Sequence, residues 1–554
     1  MTLRLTALAC AALLALGAPL ATASMIPNAG DPVETTGGKL SGTRLPSGVK
    51  AYLGVPFARP PVQDLRWRAP HPMRWDGIWN ADRKGPECIQ VLRPHDINHY
   101  FGEEPTGEDC LYLNLWAPAQ AKAGDRLPVI VFIYGGGGTI GSSGMANYDG
   151  ENVARRGAIF VNFNYRVGLL GFMAHPELSR EQGGHSGNYG FMDQTAALQW
   201  VRDNVARFGG DPDKVVIAGQ SFGAMSVAAQ IFSPRAKGLF RGAMMSSACT
   251  FDDAGLLGAP VPLSQAETVG QQLQARLHVA DLAALRQVQA DRILAQQAES
   301  QLGVSNAGLR APGVIDGYEL TATKAATLAA HAGSDVPVIA GSNGDDIDSN
   351  RSPLTRAHTV AEYEAAARRM YGADAEAFLH LYPAHTDAEV AQVAHQAAME
   401  GGFLQNSRTC GDLQARYNHS PVWVDAFVRK HPYAPGYRPA DQDPATVGAY
   451  HTADVPYWLD TLDHYNDLRP ARAWGAADRA LTDHMVKALI AFADTGNPST
   501  AEMPWPAWTP AHPVYLEIGN ETVVRRMDLR RMDWQAAHPP ADPGAPPPRT
   551  TPRD

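Results

Sequence analysis

A serine set between two glycines is the first feature with chemical potential. In the stretch Val215-Val-Ile-Ala-Gly-Gln-Ser-Phe-Gly-Ala-Met-Ser-Val227, an apolar run meets Gly219-Gln220-Ser221-Phe222-Gly223, and a small-residue, helix-compatible run follows over 224–232. The pattern reads strand, tight turn, helix, with the serine at the apex. In so sharp a turn, side chains two before and two after the serine collide with neighbouring backbone, so both positions want glycine. The serine itself is forced into strained geometry with its hydroxyl clear of the sheet edge. A chain with 52 glycines can produce G-x-S-x-G by chance, so the context carries the weight.

A serine hydroxyl is a weak nucleophile at neutral pH. It needs a base, a group to orient that base, and donors for the oxyanion. On an α/β-hydrolase sheet the chain order is serine, acid, histidine. Gly135-Gly136-Gly137-Gly138 follows an apolar strand and offers bare N–H groups to an oxyanion, and Phe222, next to the serine, is expected to donate the third. A phosphate cradle would want Lys-Ser/Thr at the following helix start, and Thr139-Ile140-Gly141 has neither. For the acid, Asp346 follows an apolar strand, with Asp345 and Asp348 as alternatives. The alternation Asp346, Asp348, Asn350 suggests a calcium loop, but Arg351 stands where glycine is needed and Ala357 where the bidentate glutamate should be. For the base, His451 stands out among 18 histidines, in the turn-rich Gly448-Ala-Tyr-His-Thr-Ala-Asp-Val-Pro-Tyr457.

These groups need a frame. Buried strands are expected at 127–134, 158–165, 215–218, 242–246, 336–342 and 422–428, and an alternating strand buried on one face at 108–116. Shorter strands are expected at 38–45 and 49–55. Helical segments are expected at 191–208, 264–302, 360–371 and 387–406. Strands alternating with helices predict an α/β fold with a large, mostly parallel central sheet, helices on both faces and helical insertions. No linker splits residues 24–537, which read as one domain. Residues 538–554 are rich in Pro, Ala and Thr and lack the apolar side chains to offset the cost of ordering.

The start of the chain reads as a leader. Arg4, an apolar Ala/Leu run to Leu20 and the small-x-small site Ala21-Thr22-Ala23 predict a secretory signal peptide over 1–23, and so a secreted or periplasmic protein. Gly17 and Pro19 interrupt the apolar run, which is too short to span a bilayer. Removing Cys10 leaves Cys88, Cys110, Cys249 and Cys410, an even number that favours disulfides in an oxidising compartment. Cys88 and Cys110 would close one loop; Cys249 with Cys410 follows only by subtraction. No CxxC or HExxH spacing predicts a metal. The net charge of −10 is well mixed, with no basic run for nucleic acid or an anionic membrane.

Taken together, these residues resemble the type-B carboxylesterase family, which includes cholinesterases, secreted lipases and bacterial carboxylesterases. Glu108-Asp-Cys-Leu-Tyr-Leu-Asn114 looks like its second signature, and the elbow like its first. Asn188-Tyr-Gly-Phe-Met-Asp-Gln-Thr-Ala-Ala-Leu-Gln-Trp200 with Phe208-Gly-Gly-Asp-Pro212, and Val55-Pro-Phe-Ala-Arg-Pro-Pro61, match its other segments. The resemblance implies the α/β-hydrolase fold, Ser221 as nucleophile, His451 as base then acid, Asp346 as orienting carboxylate, and Gly136, Gly137 and Phe222 as oxyanion donors. It implies a Cys88–Cys110 disulfide, ion pairs Arg66–Glu108 and Arg166–Asp193, and Ser246 as a serine supporting the acid. The sequence departs from the family in four ways. Asp346 replaces the commoner Glu and reaches about 1.5 Å less, so the backbone must approach His451 more closely or Asp345 or Asp348 serves instead. Gln220 replaces Glu and removes a charge beside the site, and Phe222 adds bulk. The Cys88–Cys110 loop has no tryptophan to hold a quaternary ammonium; His95, His99, Tyr100 and Phe101 occupy it. No second cysteine follows Cys249 closely.

The expectation is therefore a hydrolase that cleaves small-molecule carboxylic esters through an acyl-enzyme, with no cofactor, no nucleic-acid partner and no integral membrane association. Two alternatives stand beside it. One is a lipase with the Cys88–Cys110 loop as interfacial lid, disfavoured by the loop's polar content (Arg93, His95, Asp96, Glu103, Glu104). The other is a non-catalytic binding protein on the same fold, disfavoured because every catalytic role is filled.

Overall fold

The strands that carry the site are apolar and buried on both faces, as strands of a parallel sheet covered by helices must be. The structure, a computed structural model, describes residues 26–98, 100–102, 105–252, 260–297, 308–346 and 352–541. Its main sheet contains β1 (Thr43–Arg44), β2 (Lys50–Pro56), β3 (Tyr112–Ala117), β4 (Leu127–Ile133), β5 (Ile159–Phe163), β6 (Gly210–Gln220), β7 (Gly242–Ser246), β8 (Val338–Asn343), β9 (Val422–Phe427), β10 (Val514–Ile518) and β11 (Thr522–Arg526). The spatial order is β11-β10-β9-β8-β7-β6-β4-β5-β3-β2-β1. From β5 through β10 every pair is parallel, and the outer pairs at both margins are antiparallel. The fold is that of an α/β hydrolase.

Helices close over the sheet. Helix α1 (Tyr189–Asn204) and α2 (Phe222–Phe232) pack with β6, α5 (Phe403–Tyr417) with β8 and β9, and α6 (Ala476–Thr495) with β4 and β6. Between them lie α3 (Leu263–Leu277) and α4 (Asp387–Gly401). Apolar side chains from Leu40 to Met532 form one contiguous buried cluster.

The structure corrects three expectations at this level. Strand β3 is buried on both faces beyond Tyr112. Its inward polar residue is paired rather than solvated: Asn114 accepts from Gly54 N at 3.0 Å and donates to Asn162 Oδ1 at 2.9 Å. Within 264–302, the described part breaks into Leu263–Leu277, Leu282–Arg286 and Ala290–Leu294, because His278 takes a left-handed backbone and Asp281 caps the next helix by accepting from Ala284 N at 2.8 Å. Within 387–406, Gly402 separates α4 from α5, which runs on to Tyr417.

Two disulfides form, Cys88–Cys110 and Cys249–Cys410, with Cα separations of 4.9 and 6.2 Å. The second ties the segment after β7 to α5. The leader expected at 1–23 and most of the expected tail, from 542, lie outside the described residues. Among the described residues no helix is long and apolar enough to cross a membrane.

Candidate active site

The sharp turn joins β6 to α2. Ser221 sits there at φ 59°, ψ −126°, a backbone region that residues other than glycine rarely adopt. The flanking glycines are sterically required. A Cβ on Gly219 would lie 2.4 Å from Gly223 O, and one on Gly223 would lie 2.1 Å from Ile133 O. Ser221 N donates to Ser246 O at 2.9 Å, which anchors the apex to β7. Phe222 opens α2, where no preceding turn supplies an acceptor for its N–H.

The glycine loop leaves β4 and folds over the serine. Gly136, Gly137 and Gly138 take φ of 109°, 60° and 71°. A Cβ on Gly135 would lie 3.0 Å from Ser221 Cβ. Gly136 O accepts from Thr139 N and Ile140 N, both at 3.1 Å. The N–H groups of Gly136 and Gly137 have no hydrogen-bond partner among the described residues. The far end of the loop is fixed by Gln90, whose amide accepts from Gly141 N at 2.7 Å and donates to Gly141 O at 2.9 Å.

Acid and histidine meet because their loops pair. Asp345 and Tyr450 form a parallel β-bridge, with Asp345 N donating to Ala449 O at 2.8 Å. The Asp345 carboxylate accepts from Gly448 N at 2.7 Å, so it clips the two loops together. The next residue, Asp346, then faces His451: its Oδ1 is hydrogen-bonded to His451 Nδ1, and its Oδ2 accepts from Asn343 N at 3.1 Å. The close backbone approach that the short side chain demands is thus supplied by the bridge. Asp348 lies outside the described residues. After His451, Thr452 is held at φ 79°, a strained position for a β-branched residue.

Ser246 does not touch Asp346. Its hydroxyl donates to Asp454, which also accepts from Asn343 Nδ2 at 3.0 Å. Asn343 donates in turn to Asp346, so the support that Ser246 gives is relayed. Behind Asp454 lies Asp425, fully enclosed on β9 and without a partner for Oδ1. Burial, and for Asp425 also the nearby Asp454, pushes both carboxyls above the usual carboxylate range. Sequence reasoning passed over Asp454, Asn343 and Asp425. Asp454 follows His451 by three residues, but nothing in one sequence marks it as facing Ser246.

Ser221 and His451 share no hydrogen bond in this structure. The Gln220 amide nitrogen lies 3.2 Å from His451 Nε2, and the Phe403 ring lies 6.0 Å from the imidazole, centroid to centroid. Among the described residues no group of three or more His, Cys, Asp or Glu side chains is placed to hold a metal ion.

A cavity of about 330 Å³ opens beside the glycine loop. Gly137, Gly138 and Phe222 line it, with Phe172, Phe191, Met225 and Phe232. The Phe222 ring makes an edge contact with Phe172 at 5.6 Å and lies against Gly138, where a Cβ would come within 2.7 Å of it. The Cys88–Cys110 loop is tied down. Arg469 donates to His95 O and Ile97 O, each at 2.6 Å, and Asn98 N donates to Asp441 at 2.7 Å. Arg93, one of the charges counted in the loop's polar content, is buried and paired with Glu87 at 3.2 Å. His99, Glu103 and Glu104 lie outside the described residues. The two ion pairs also form: Arg66 with Glu108 at 2.5 Å and Arg166 with Asp193 at 2.7 Å.

A sequence model described as the carboxylesterase family matches residues 30–536. The fumonisin B1 esterase of Sphingopyxis macrogoltabida is 35% identical over 472 residues, 83% of this chain and 81% of that protein. The para-nitrobenzyl esterase of Bacillus subtilis (strain 168) is 32% identical over 501 residues, 89% of this chain and 94% of that one. A solved PNB esterase structure superposes with a TM-score of 0.71 at 30% identity, covering 91% of this chain and 98% of its own.

Proposed function

The chain belongs to the carboxylesterase family, whose members hydrolyse carboxylic esters, and we propose that it does so through Ser221, His451 and Asp346. Ser221 Oγ attacks the ester carbonyl while His451 Nε2 takes its proton. Asp346, bonded to Nδ1, fixes the tautomer that leaves Nε2 free to accept and stabilises the imidazolium that forms. The N–H groups of Gly136, Gly137 and Phe222 hold the oxyanion. His451 then protonates the departing alcohol. Water, deprotonated by His451, adds to the acyl-enzyme and releases the acid. As the ester enters, His451 Nε2 exchanges its contact with Gln220 for the Ser221 hydroxyl; such bonds commonly tighten only in the complex.

The observation that carries this reading is convergence at one sheet edge. A strained serine stands beside two glycine N–H groups without a partner among the described residues, and the Asp346–His451 pair is clipped to the neighbouring strand ends. A p-nitrophenyl ester series from acetate to palmitate, run on wild type and Ser221→Ala, tests it. Loss of about 10⁴-fold or more in kcat with an unchanged circular dichroism spectrum is expected; retained turnover in the variant would remove Ser221 from the mechanism.

We further infer that the protein is exported. Its two disulfides suit an oxidising compartment, and residues 1–23 read as a leader. Ser24 should be the first residue of the mature chain by N-terminal sequencing; an intact Met1 on active protein overturns this.

A further inference from the structure

A buried arginine is bonded to the residue that precedes His451. The guanidinium carbon of Arg472 lies 4.0 Å from the ring centroid of Tyr433, 5.3 Å from that of Tyr465, 5.8 Å from Tyr437 and 6.0 Å from Tyr450. It forms no ion pair with a carboxylate among the described residues. A guanidinium keeps its charge inside a protein, so tyrosine faces and neutral acceptors must replace the water it has lost. Its side-chain acceptors come from three different segments. Nη2 donates to Tyr450 Oη at 3.0 Å and to Asn98 Oδ1, and Nε donates to His431 Nδ1 at 3.2 Å. The backbone of Arg472 is itself pinned, because the Asn466 amide accepts from its N–H at 2.9 Å and donates to its carbonyl at 3.0 Å.

These bonds bracket His451. Tyr450, fully buried, comes just before it, and the Tyr450 hydroxyl donates to His431 Nδ1 at 2.9 Å. Ala453 comes two residues after it, and Ala453 O lies 2.7 Å from His431 Nε2. A carbonyl only accepts, so Nε2 carries the His431 proton and Nδ1 accepts from Tyr450 and Arg472. The turn is closed by Ala453 N donating to Tyr450 O at 2.8 Å, and it contains Thr452 at φ 79°. Strain of that kind persists only where the surroundings over-determine it. Asn98 brings in the third segment, since it is buried on the Cys88–Cys110 loop. Arg472, Tyr450, His431 and Asn98 all stand outside the lining of the cavity beside the glycine loop. We propose that Arg472 is a positioning residue for the reaction: it fixes the His451 turn through Tyr450 and His431, and through Asn98 it couples that turn to the Cys88–Cys110 loop. The proposal rests on the assignment of Ser221 and His451 to the reacting site.

Kinetics per active site test it, with p-nitrophenyl butyrate as substrate and sites counted by complete phosphonylation with a fluorophosphonate probe. A side chain that only supports the fold would lower the unfolding midpoint or the number of titrated sites and leave kcat per site alone. A positioning residue lowers kcat per site. Arg472→Met keeps an apolar stem among the tyrosine rings and removes the fork. Its kcat per titrated site should fall about 30-fold with KM changed less than about threefold, because a small misplacement of the base costs rate and the cavity is untouched. Tyr450→Phe should lose about tenfold and Asn98→Ala about threefold, again in kcat. Asn98→Ala should cost nothing further in the Arg472→Met background, since both changes cut one chain of contacts. Should Arg472→Met not fold, Tyr450→Phe, which removes one hydroxyl, carries the comparison, and Asn98→Ala is then combined with it. A kcat per site within twofold of wild type, or a loss that falls on KM instead, overturns the proposal. Full additivity of the Asn98 and Arg472 changes overturns the coupling to the disulfide loop. Failure of the site assignment looks different: hydrolysis would survive Ser221→Ala, and the proposal would fall with it.

Discussion

Around Ser221 the main chain does the positioning, whereas around His451 side chains share it with one backbone bridge. The serine side consists of a strained residue, two glycines whose added Cβ atoms would overlap backbone oxygens, and a glycine loop with left-handed dihedrals. On the acid–base side, Asp345 clips one loop to another, Asn343 bridges Asp346 and Asp454, and Ser246 reaches Asp454 from a third strand. A backbone-built site has no slack for a wrong residue. A side-chain-built site degrades in steps, because each link can be weakened separately. Mutagenesis should therefore give all-or-none behaviour on the first side and graded behaviour on the second.

The largest effect should come from Gly223→Ala. Its Cβ would stand 2.1 Å from a backbone carbonyl that belongs to β4 and cannot swing away, so the soluble yield of folded protein should collapse. Folded, active Gly223→Ala would show that the elbow yields and would break the comparison. Next comes Asp346→Asn. The loops stay clipped by Asp345, so thermal stability should change little, while kcat falls about 10⁴-fold because His451 loses its tautomer control. A loss under tenfold would transfer the orienting role to another carboxylate.

The same division explains what the sequence made legible. Local steric demands leave local marks: Gly219, Gly223 and Gly135 to Gly138 stand within a few residues of the strands that need them, and apolar runs located β4 to β9. The bridge Asp345–Tyr450 joins residues 105 apart in the chain (450 − 345), and Ser246–Asp454 joins residues 208 apart. Pairing over such distances leaves no periodic or compositional trace, so nothing in the sequence marks Asp454 and Asn343 as the links through which Ser246 reaches Asp346. Strand β3 misled for a related reason. Its alternation was real, but the polar half faces Asn162 and Gly54 inside the protein rather than water.

Asp454 offers a graded test of the acid–base side. Its carboxyl is pushed up by burial. Asp454→Asn keeps the shape and a carbonyl acceptor for Ser246 or Asn343, and kcat should change less than about threefold. Asp454→Ala leaves Ser246 and Asn343 without their acceptor, and the shift passed on to Asp346 should lower kcat up to about 100-fold with KM nearly constant. Equal losses in both variants would mean that Asp454 acts as a charge and not as a link.

The last test concerns Glu319, a buried side chain on the serine side. Fully enclosed, it accepts from Thr195 of α1 at 2.7 Å and from Ser233, just past α2, at 3.0 Å, so it braces the two helices beside the elbow. Burial raises its pKa from 4.5 to about 7. The nearest cation, Arg235, lies 3.6 Å away and is substantially exposed, too weak to offset that cost. Below pH about 4.5 both folded and unfolded chains hold the proton, and the brace costs nothing. Between about 4.5 and 7 the unfolded chain releases its proton while the folded one keeps it, so stability falls as pH rises, by about 3 kcal/mol over the window at 1.36 kcal/mol per unit. Above pH 7 both forms are ionised and the penalty is constant. Glu319→Gln removes this dependence while keeping an acceptor for Thr195 and Ser233. Unfolding midpoints at pH 5 and pH 8 should accordingly lie closer together in Glu319→Gln than in wild type. Parallel pH profiles would mean that Glu319 is ionised throughout, and that side-chain ionisation plays no part on the serine side.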